Sequence, residues 1–363
     1  MAEFPEIKSI LETGSRVLLI CEKNRSDLDY LSAAASLFYT LRKIGKVVNC
    51  HPEELAYNLP CSLPLVKDAK SFVLTIKDHS GILSDIYYQK RPQEIKLFFT
   101  MANGEFKTDD IRFAPLDSQL QSEPDLIITM GISSLESLED FYEENFKFFT
   151  QKPILNIDDN ALNEEFGKIN LIEEDSSFSG LTTQLIRSIN KEAIDTEVAT
   201  YLLGGILSYH KNKNLNDNEL KTLIYLKNRG ADIKKAIDSA CANLNTQERH
   251  IMEILLTGLE FNKRSGVPLL LIPKAKTHLL QSNNKSLVSA VTLLRGKGIS
   301  LPVFLMLWET ESLVSGIMYS LDAHKMQKMS SIFSGEIKND KLIFYLKHKN
   351  IQEVQNSILK IIA

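Results

Sequence analysis

Cysteine is scarce in this chain, and the four that occur, Cys21, Cys50, Cys61 and Cys241, show no C-x-x-C spacing. That argues against a zinc site and against a disulfide framework, and a reduced cytoplasmic setting is expected. No apolar run approaches the roughly 18–20 residues that cross a bilayer, so no membrane span is expected. The start, Met1-Ala2-Glu3-Phe4-Pro5-Glu6, is acidic and lacks the apolar centre of a secretory leader. Gly 16 and Pro 11 in 363 residues are too few for a fibrous or linker-rich protein. Positive charge is not in excess. Lys+Arg 42 against Asp+Glu 46 gives a formal charge of −4, which disfavours a general basic surface for duplex DNA but leaves a local basic cleft open. The seven histidines (51, 79, 210, 250, 278, 324 and 348) show no ligand spacing and read as surface or structural. Of these, His210 beside Tyr209 is the one near a candidate site.

What is present is ordinary globular composition, 44% hydrophobic and 24% charged, which excludes a disordered chain. At about 150 residues per domain the length suggests two domains. The first half alternates strands with amphipathic helices. Arg16 to Cys21 reads as a buried strand, and residues 28 to 43 place Leu31, Ala34, Ala35, Phe38 and Leu41 at helical spacing. Lys46 to Cys50 begins the next strand. This order predicts a parallel sheet with helices on its faces, continued by Ser71–Ile76, Asp125–Met130 and Pro153–Ile157. Ile95–Thr100, Asn103-Gly104 and Phe106–Phe113 read as a hairpin extending that sheet, because Asn-Gly suits a type I′ turn. Ser177 to about Ala242 reads as mostly helical, and Gln247 to Phe261 as one more helix. A boundary is expected at Asn262–Gly266. A second, smaller α/β domain follows, with strands at Val267–Ile272, Leu301–Leu307, Leu313–Leu321 and Lys341–Leu346. Its helices are expected at Ser286–Gly296, His324–Phe333 and from Ile351.

In an open parallel sheet, ligands bind at the carboxyl ends of the strands. Those ends here are followed by Glu22-Lys23-Asn24-Arg25-Ser26-Asp27-Leu28-Asp29, by Gly131-Ile132-Ser133-Ser134 and by Asp158-Asp159-Asn160. Asp27, Asp29, Asp158 and Asp159 could cluster around a hard divalent cation. The reading favoured by spacing alone is that Asp27 caps the helix after it and that residues 158–160 are a polar turn, since capping aspartates are common. Lys23, Arg25 and Lys211 could give a cleft positive charge, although solvated lysines are the default. Trp308, Phe146, Phe148 and Phe149 read as packing groups, and Gly204-Gly205 as a close helix crossing.

Residues 156–171 run N-I-D-D-N-A-L-N-E-E-F-G-K-I-N-L. Ser176-Ser177-Phe178-Ser179-Gly180-Leu181 follows. Then come Gly205-Ile206-Leu207-Ser208-Tyr209 and L-I-Y-L-K-N-R-G-A-D from Leu223 to Asp232. This series resembles the DHH phosphoesterase family with a DHHA1 C-terminal domain, in the branch of RecJ-like oligoribonucleases and bifunctional nanoRNA/pAp phosphatases. The corresponding family patterns are N-I-D-H-H-x-x-N-x-x-F-G-x-I-N-L, a Ser/Thr-rich helix start, G-I-x-T-D and L-x-x-G-A-D. At the front, V-L-L-I-C-E-K-N-R-S-D-L-D from Val17 resembles a strand followed by H-x-N-P-D-x-D. The resemblance covers most of residues 8–245, and 263–363 more weakly. It implies a two-lobed α/β protein: a DHH-like domain over 1–195, a helical connector over 196–262 completing the first lobe, and a DHHA1-like domain over 263–363.

The resemblance also implies two Mn²⁺ or Mg²⁺ ions held by Asp and His around a bridging water. Here the ligand positions depart. The first-motif histidine matches Glu22. The D-x-D pair matches Asp27 and Asp29 only with one inserted residue. The second-motif aspartate falls on Gly131. The triplet keeps Asp158 but has Asp159 and Asn160 for its histidines, and the T-D aspartate falls on Tyr209. In the C-terminal domain the G-G-G-H loop matches Phe333-Ser334-Gly335-Glu336-Ile337, where Glu336 would repel a phosphate. The expectation is a pseudoenzyme without cofactor, acting as scaffold or regulator with a protein partner. Two alternatives stay open. One is a sensor of a nucleotide or short RNA in an interlobe cleft, using Lys23, Arg25, Ser334 and Gly335. The other is a Mn²⁺- or Mg²⁺-dependent phosphodiesterase with a rearranged site built from Asp27, Asp29, Asp158 and Asp159. A homodimer is open in each case.

Overall fold

A computed structural model describes residues 5–52, 72–76, 83–91, 94–101, 111–115, 123–210, 216–241, 244–261, 268–272, 274, 303–309, 313–320, 322–338, 341–347 and 350–362. Its contacts divide the chain into two compact units, Met1–Pro60 with Pro124–Ala363, and Cys61–Glu123.

The first unit begins with helix α1 (Pro5–Thr13) and is built on strands β1 (Arg16–Cys21), β2 (Val47–His51), β7 (Leu126–Met130), β8 (Ile154–Asp158) and β9 (Ile169–Ile172). They form one parallel sheet in the order β2-β1-β7-β8-β9. β7 and β8 are buried along their whole length, as expected of central parallel strands, and the buried Thr129 hydroxyl and Asn156 amide within them meet at 3.0 Å. Successive side chains of β1 point to opposite faces. On one face Ile20, Ile127 and Ile154 pack with Phe149 and, around them, Phe141, Tyr142 and Phe148. These aromatics lie on two short helices, α3 (Asp140–Glu144) and α4 (Phe146–Gln151). On the other lies α2 (Leu28–Lys43), with Tyr30, Ala33, Ala34, Leu37 and Leu41 buried. α2 packs against α5 (Phe178–Asn190) and α6 (Thr196–Tyr209). A side chain at Gly205 would run into Ser179 Oγ, so the α5–α6 approach requires glycine there, as the Gly-Gly pair suggested.

Helices α7 (Asp217–Asn228), α8 (Ile233–Ala240) and α9 (Thr246–Gly258) follow. α9 ends at Gly258 rather than at Phe261, because Leu259–Phe261 is strand β10 of a second sheet. That sheet adds β11 (Pro268–Ile272), β12 (Val303–Glu309), β13 (Leu313–Ser320), β14 (Glu336–Lys338) and β15 (Lys341–Lys347) in the order β10-β11-β12-β13-β15-β14. Helices α10 (Ala323–Phe333) and α11 (Ile351–Ile362) close its core over Leu305, Leu307, Val314, Met318, Leu342 and Phe344. The expected boundary at 262–266 and the expected helix at 286–296 lie outside the described residues.

The second unit corrects the sequence reading. β3 (Phe72–Ile76) is not a further parallel strand; it pairs antiparallel with β6 (Ile111–Pro115) in a two-stranded sheet. An apolar run such as F-V-L-T-I carries no local mark of strand direction. β5 (Glu94–Met101) pairs with β4 (Leu83–Arg91), and residues 111–113 of the expected partner strand pair with β3 instead, while residues 106–110 lie outside the described residues. The Asn103-Gly104 turn lies outside the described residues.

The start of the parallel sheet is held by one carboxylate. Asp125 accepts from the backbone N–H of Ser15 at 2.9 Å and of Arg16 at 3.0 Å, and from the Arg16 guanidinium at 2.7 Å. Arg16 therefore holds the Asp125 carboxyl well below its ordinary range. A depressed folded-state value stabilises the protein above the unfolded value of 3.8 and is lost as pH falls through and below it. Asp125→Asn should cost about 1–2 kcal/mol in chemical denaturation at neutral pH. The gap from wild type should shrink as pH falls below 3.8.

Candidate functional site

Because β1, β7 and β8 are neighbours, the loops leaving their carboxyl ends meet. Tyr30 ties them together from α2. Its hydroxyl accepts from Glu22 N–H at 2.6 Å and donates to the Met130 carbonyl at 2.8 Å. Just beyond Met130, Gly131 has φ +69, a left-handed conformation that favours glycine. A Cβ there would stand 3.1 Å from the Tyr30 ring and 3.3 Å from Glu22 Oε2. The aspartate that the resemblance places at this position would thus be strained and set against another carboxylate. Burial raises the Glu22 carboxyl above its ordinary range, and Asp158, Asp159 and Asp27 add to the rise while Arg25 opposes it.

Arg25 is the centre of the cluster. Its guanidinium forks onto Asp159, Nη1 to Oδ1 at 3.0 Å and Nη2 to Oδ2 at 2.8 Å, and its Nε donates to Asp27 Oδ2 at 3.0 Å. The same group lies 4.4 Å from the centre of the Phe178 ring and 5.2 Å from that of Tyr30. Phe178 and Tyr30 meet edge to face at 5.1 Å. The ring faces fix the cation from behind while the carboxylates fix it in front. Arg25 is therefore committed within the protein, whereas Lys23 is exposed.

The remaining carboxylates are also engaged. Asp27 caps α2, accepting from Tyr30 N–H at 2.9 Å. Asp29 is buried and points at the start of α5, where it accepts from Phe178 N–H at 2.8 Å and Ser179 N–H at 2.9 Å. Burial pushes its carboxyl up to about 6 against the lowering effect of those donors. Asp158, also buried, accepts from Ser133 Oγ at 3.0 Å, Asn163 Nδ2 at 2.7 Å and Asp159 N–H at 2.9 Å. Asn160 donates to Ser133 Oγ at 2.8 Å and accepts from Leu162 N–H. Tyr209 ends α6, its ring 5.0 Å from that of buried His210. His210 Nε2 lies 3.7 Å from Glu219, which accepts from Ser177 N–H and Oγ at 2.7 and 2.9 Å.

The structure thus brings Glu22, Arg25, Asp27, Gly131 and Asp159 together and turns Asp29 away to a helix start. In the second sheet domain Ser334 is left-handed at φ 49, and the backbone N–H groups of Ser334 and Gly335 both donate to the Ser330 carbonyl. A loop whose amides are spent on its own helix end has none of these two left for a phosphate. Four site-forming residues lay outside the sequence expectations: Tyr30, Ser133, Asn163 and Glu219. Ser133 and Asn163 stand inside quoted segments, but only their distance to Asp158 marks them.

Two metal ions about 3.5–4 Å apart need bridging and terminal anionic ligands. This donor set does not fit that requirement. Gly131 offers no side chain, Asp29 is spent on helix amides, and Asp159 and Asp27 already carry a guanidinium. Among the described residues no group of three or more His, Cys, Asp or Glu side chains is arranged to hold a metal.

No family model matches the chain, and no curated protein matches it. Among solved structures it is similar to an exopolyphosphatase-related protein from Bacteroides fragilis, at 14% identity over 98% of this chain and 95% of that one, with a TM-score of 0.40. It is also similar to RecJ in complex with Mn²⁺ from Thermus thermophilus, at 10% identity and a TM-score of 0.29, where it spans 55% of that chain. A third likeness is to exonuclease RecJ bound to manganese, at 11% identity over 94% of that chain, with a TM-score of 0.28. Likenesses at these scores carry no functional inference, and the case rests on the residues.

Arg25→Met should destabilise the protein by about 1–3 kcal/mol in urea denaturation at neutral pH, because it leaves Asp27, Asp159 and Glu22 facing one another. Arg25→Lys should recover only part of that loss, since an ammonium cannot fork onto Asp159.

Proposed function

We propose that this chain is a catalytically inactive relative of the DHH phosphoesterases that acts as a scaffold or regulator through a protein partner. One observation carries the reading: Arg25 forks onto Asp159 and reaches Asp27 at the strand ends where the family's metal ions would sit. A fixed monovalent cation satisfies those carboxylates electrostatically but offers no open coordination position and lowers no water's pKa. The motif block from Asn156 to Leu171 and the parallel order of β1, β7 and β8 support the kinship. In this reading the second sheet is the counterpart of the family's DHHA1 domain, the site needs no metal cofactor, and the protein works in the cytoplasm. The engaged amides at Ser334 and Gly335 weigh against a phosphate clamp there.

The test is hydrolysis of pAp and of short RNA with and without Mn²⁺. No turnover above buffer is expected. Turnover that EDTA abolishes and that Asp158→Ala removes would overturn the reading. Calorimetric titration with the same nucleotides separates scaffold from sensor: the scaffold gives no heat, and saturable binding would favour the sensor.

A further inference from the structure

The two faces of the parallel sheet are covered unequally. On one side lie α2, α5 and α6, helices of 16, 13 and 14 residues. On the other, among the described residues, lie a 3₁₀ turn (Leu135–Leu138) and the helices α3 and α4, of five and six residues. Parallel sheets bury both faces, as a rule under full helices.

This thinner cover is aromatic, and its rings lead from the core to the surface. Phe149 is buried against the sheet. Tyr142 meets it edge to face, with ring centres 5.2 Å apart, and meets Phe146 in the same way at 5.7 Å. Phe146 itself is 54% exposed. Tyr142 and Phe148 are only partly buried against the same cluster. Apolar surface continuous with a core and rimmed by polar groups marks an interaction site.

The rim is acidic. Residues 133–168 hold nine Asp or Glu against three Lys, more negative charge than the net −4 of the whole chain. Glu136, Glu139, Asp140, Glu143 and Glu144 are all exposed, and none of them has an ion pair among the described residues. Elsewhere the fold gives its acids cations: Asp27, Asp125, Asp159 and Asp195 each meet an Arg or a Lys.

We infer that this face docks a basic amphipathic helix of the partner protein. The apolar side of that helix lies on Tyr142, Phe146 and Phe148, its Lys and Arg meet the acidic rim, and it supplies the layer that α3 and α4 leave thin. The inference rests on the scaffold reading and states the chemistry of the partner. A second copy of this chain fits poorly, because a two-fold contact through this face sets the acidic rim against itself.

Fluorescence anisotropy with the full chain tests this, using a labelled amphipathic helix of Leu and Lys and its counterpart of Leu and Glu. The Leu/Lys helix should bind saturably, and more weakly as salt rises. The Leu/Glu helix should not bind. Phe146→Ser removes the exposed anchor and should weaken binding about tenfold. Glu136→Lys with Glu144→Lys reverses two rim charges and should also weaken it about tenfold. Glu12→Lys with Glu353→Lys makes the same change in net charge on α1, which packs on α5, and on α11 in the second sheet domain. That pair should leave the affinity unchanged. All four glutamates are exposed, so circular dichroism should not change. Equal binding of the two peptides, or equal effects of the two charge-reversed pairs, would overturn the inference. So would sedimentation of the protein alone as a dimer that Phe146→Ser dissociates, which would give the face to a second copy. Turnover in the hydrolysis test would overturn the scaffold reading and leave the peptide result as it stands, so the two failures are distinguishable.

Discussion

A parallel sheet collects polar loops at one end of its strands, and here four carboxylates arrive at that end: Glu22, Asp27, Asp158 and Asp159. Two unit charges about 4 Å apart repel by about 4 kcal/mol at an effective dielectric near 20, so such a cluster needs a counter-charge. The Arg25 guanidinium provides it. Its three hydrogen bonds to Asp159 and Asp27 and its seat on the Phe178 ring place one cation where it offsets most of that repulsion. Asp158, the fourth carboxylate, is satisfied by neutral donors from Ser133 and Asn163. Any divalent ion entering this cluster would have to displace an arginine already desolvated and paired.

A second polar system lies behind the first. The opening turn of α5 presents the N–H groups of Ser177, Phe178, Ser179 and Gly180, and each is met by a side chain: Glu219, Asp29, Asp29 and the Ser177 hydroxyl. Two buried acids at a helix start are favourable placements for negative charge. They also fix α5 against α2 and α7, the helices that carry Asp29 and Glu219, and so hold Phe178 beneath Arg25. The catalytic-looking aspartate at position 29 is therefore a positioning residue for the very group that neutralises the site.

Much of this was legible in the sequence. β1, β7 and β8 are rich in Val, Ile and Leu, α2 has a clear helical period, and Asp27 stands where a cap belongs. The capping alternative for Asp27 proved to be its geometry. The partners of Asp29 and Arg25 were not legible, because they lie 149 and 134 residues away and nothing local distinguishes a capping acid from a ligand. The pairing of β3 with β6 and of β4 with β5 failed for a related reason: strand direction and partner are tertiary choices. The Gly131 departure could be read as a lost ligand, but its left-handed backbone and its closeness to Tyr30 appear only in three dimensions.

The central claim is that a guanidinium stands at the strand ends in place of metal ions. Crystals soaked in Mn²⁺ and measured at the manganese absorption edge test it directly. The account predicts Arg25 forked on Asp159 and no anomalous peak near Asp27, Asp158 or Asp159. A manganese ion ligated by Asp158 and Asp159, with Arg25 swung away, would contradict it.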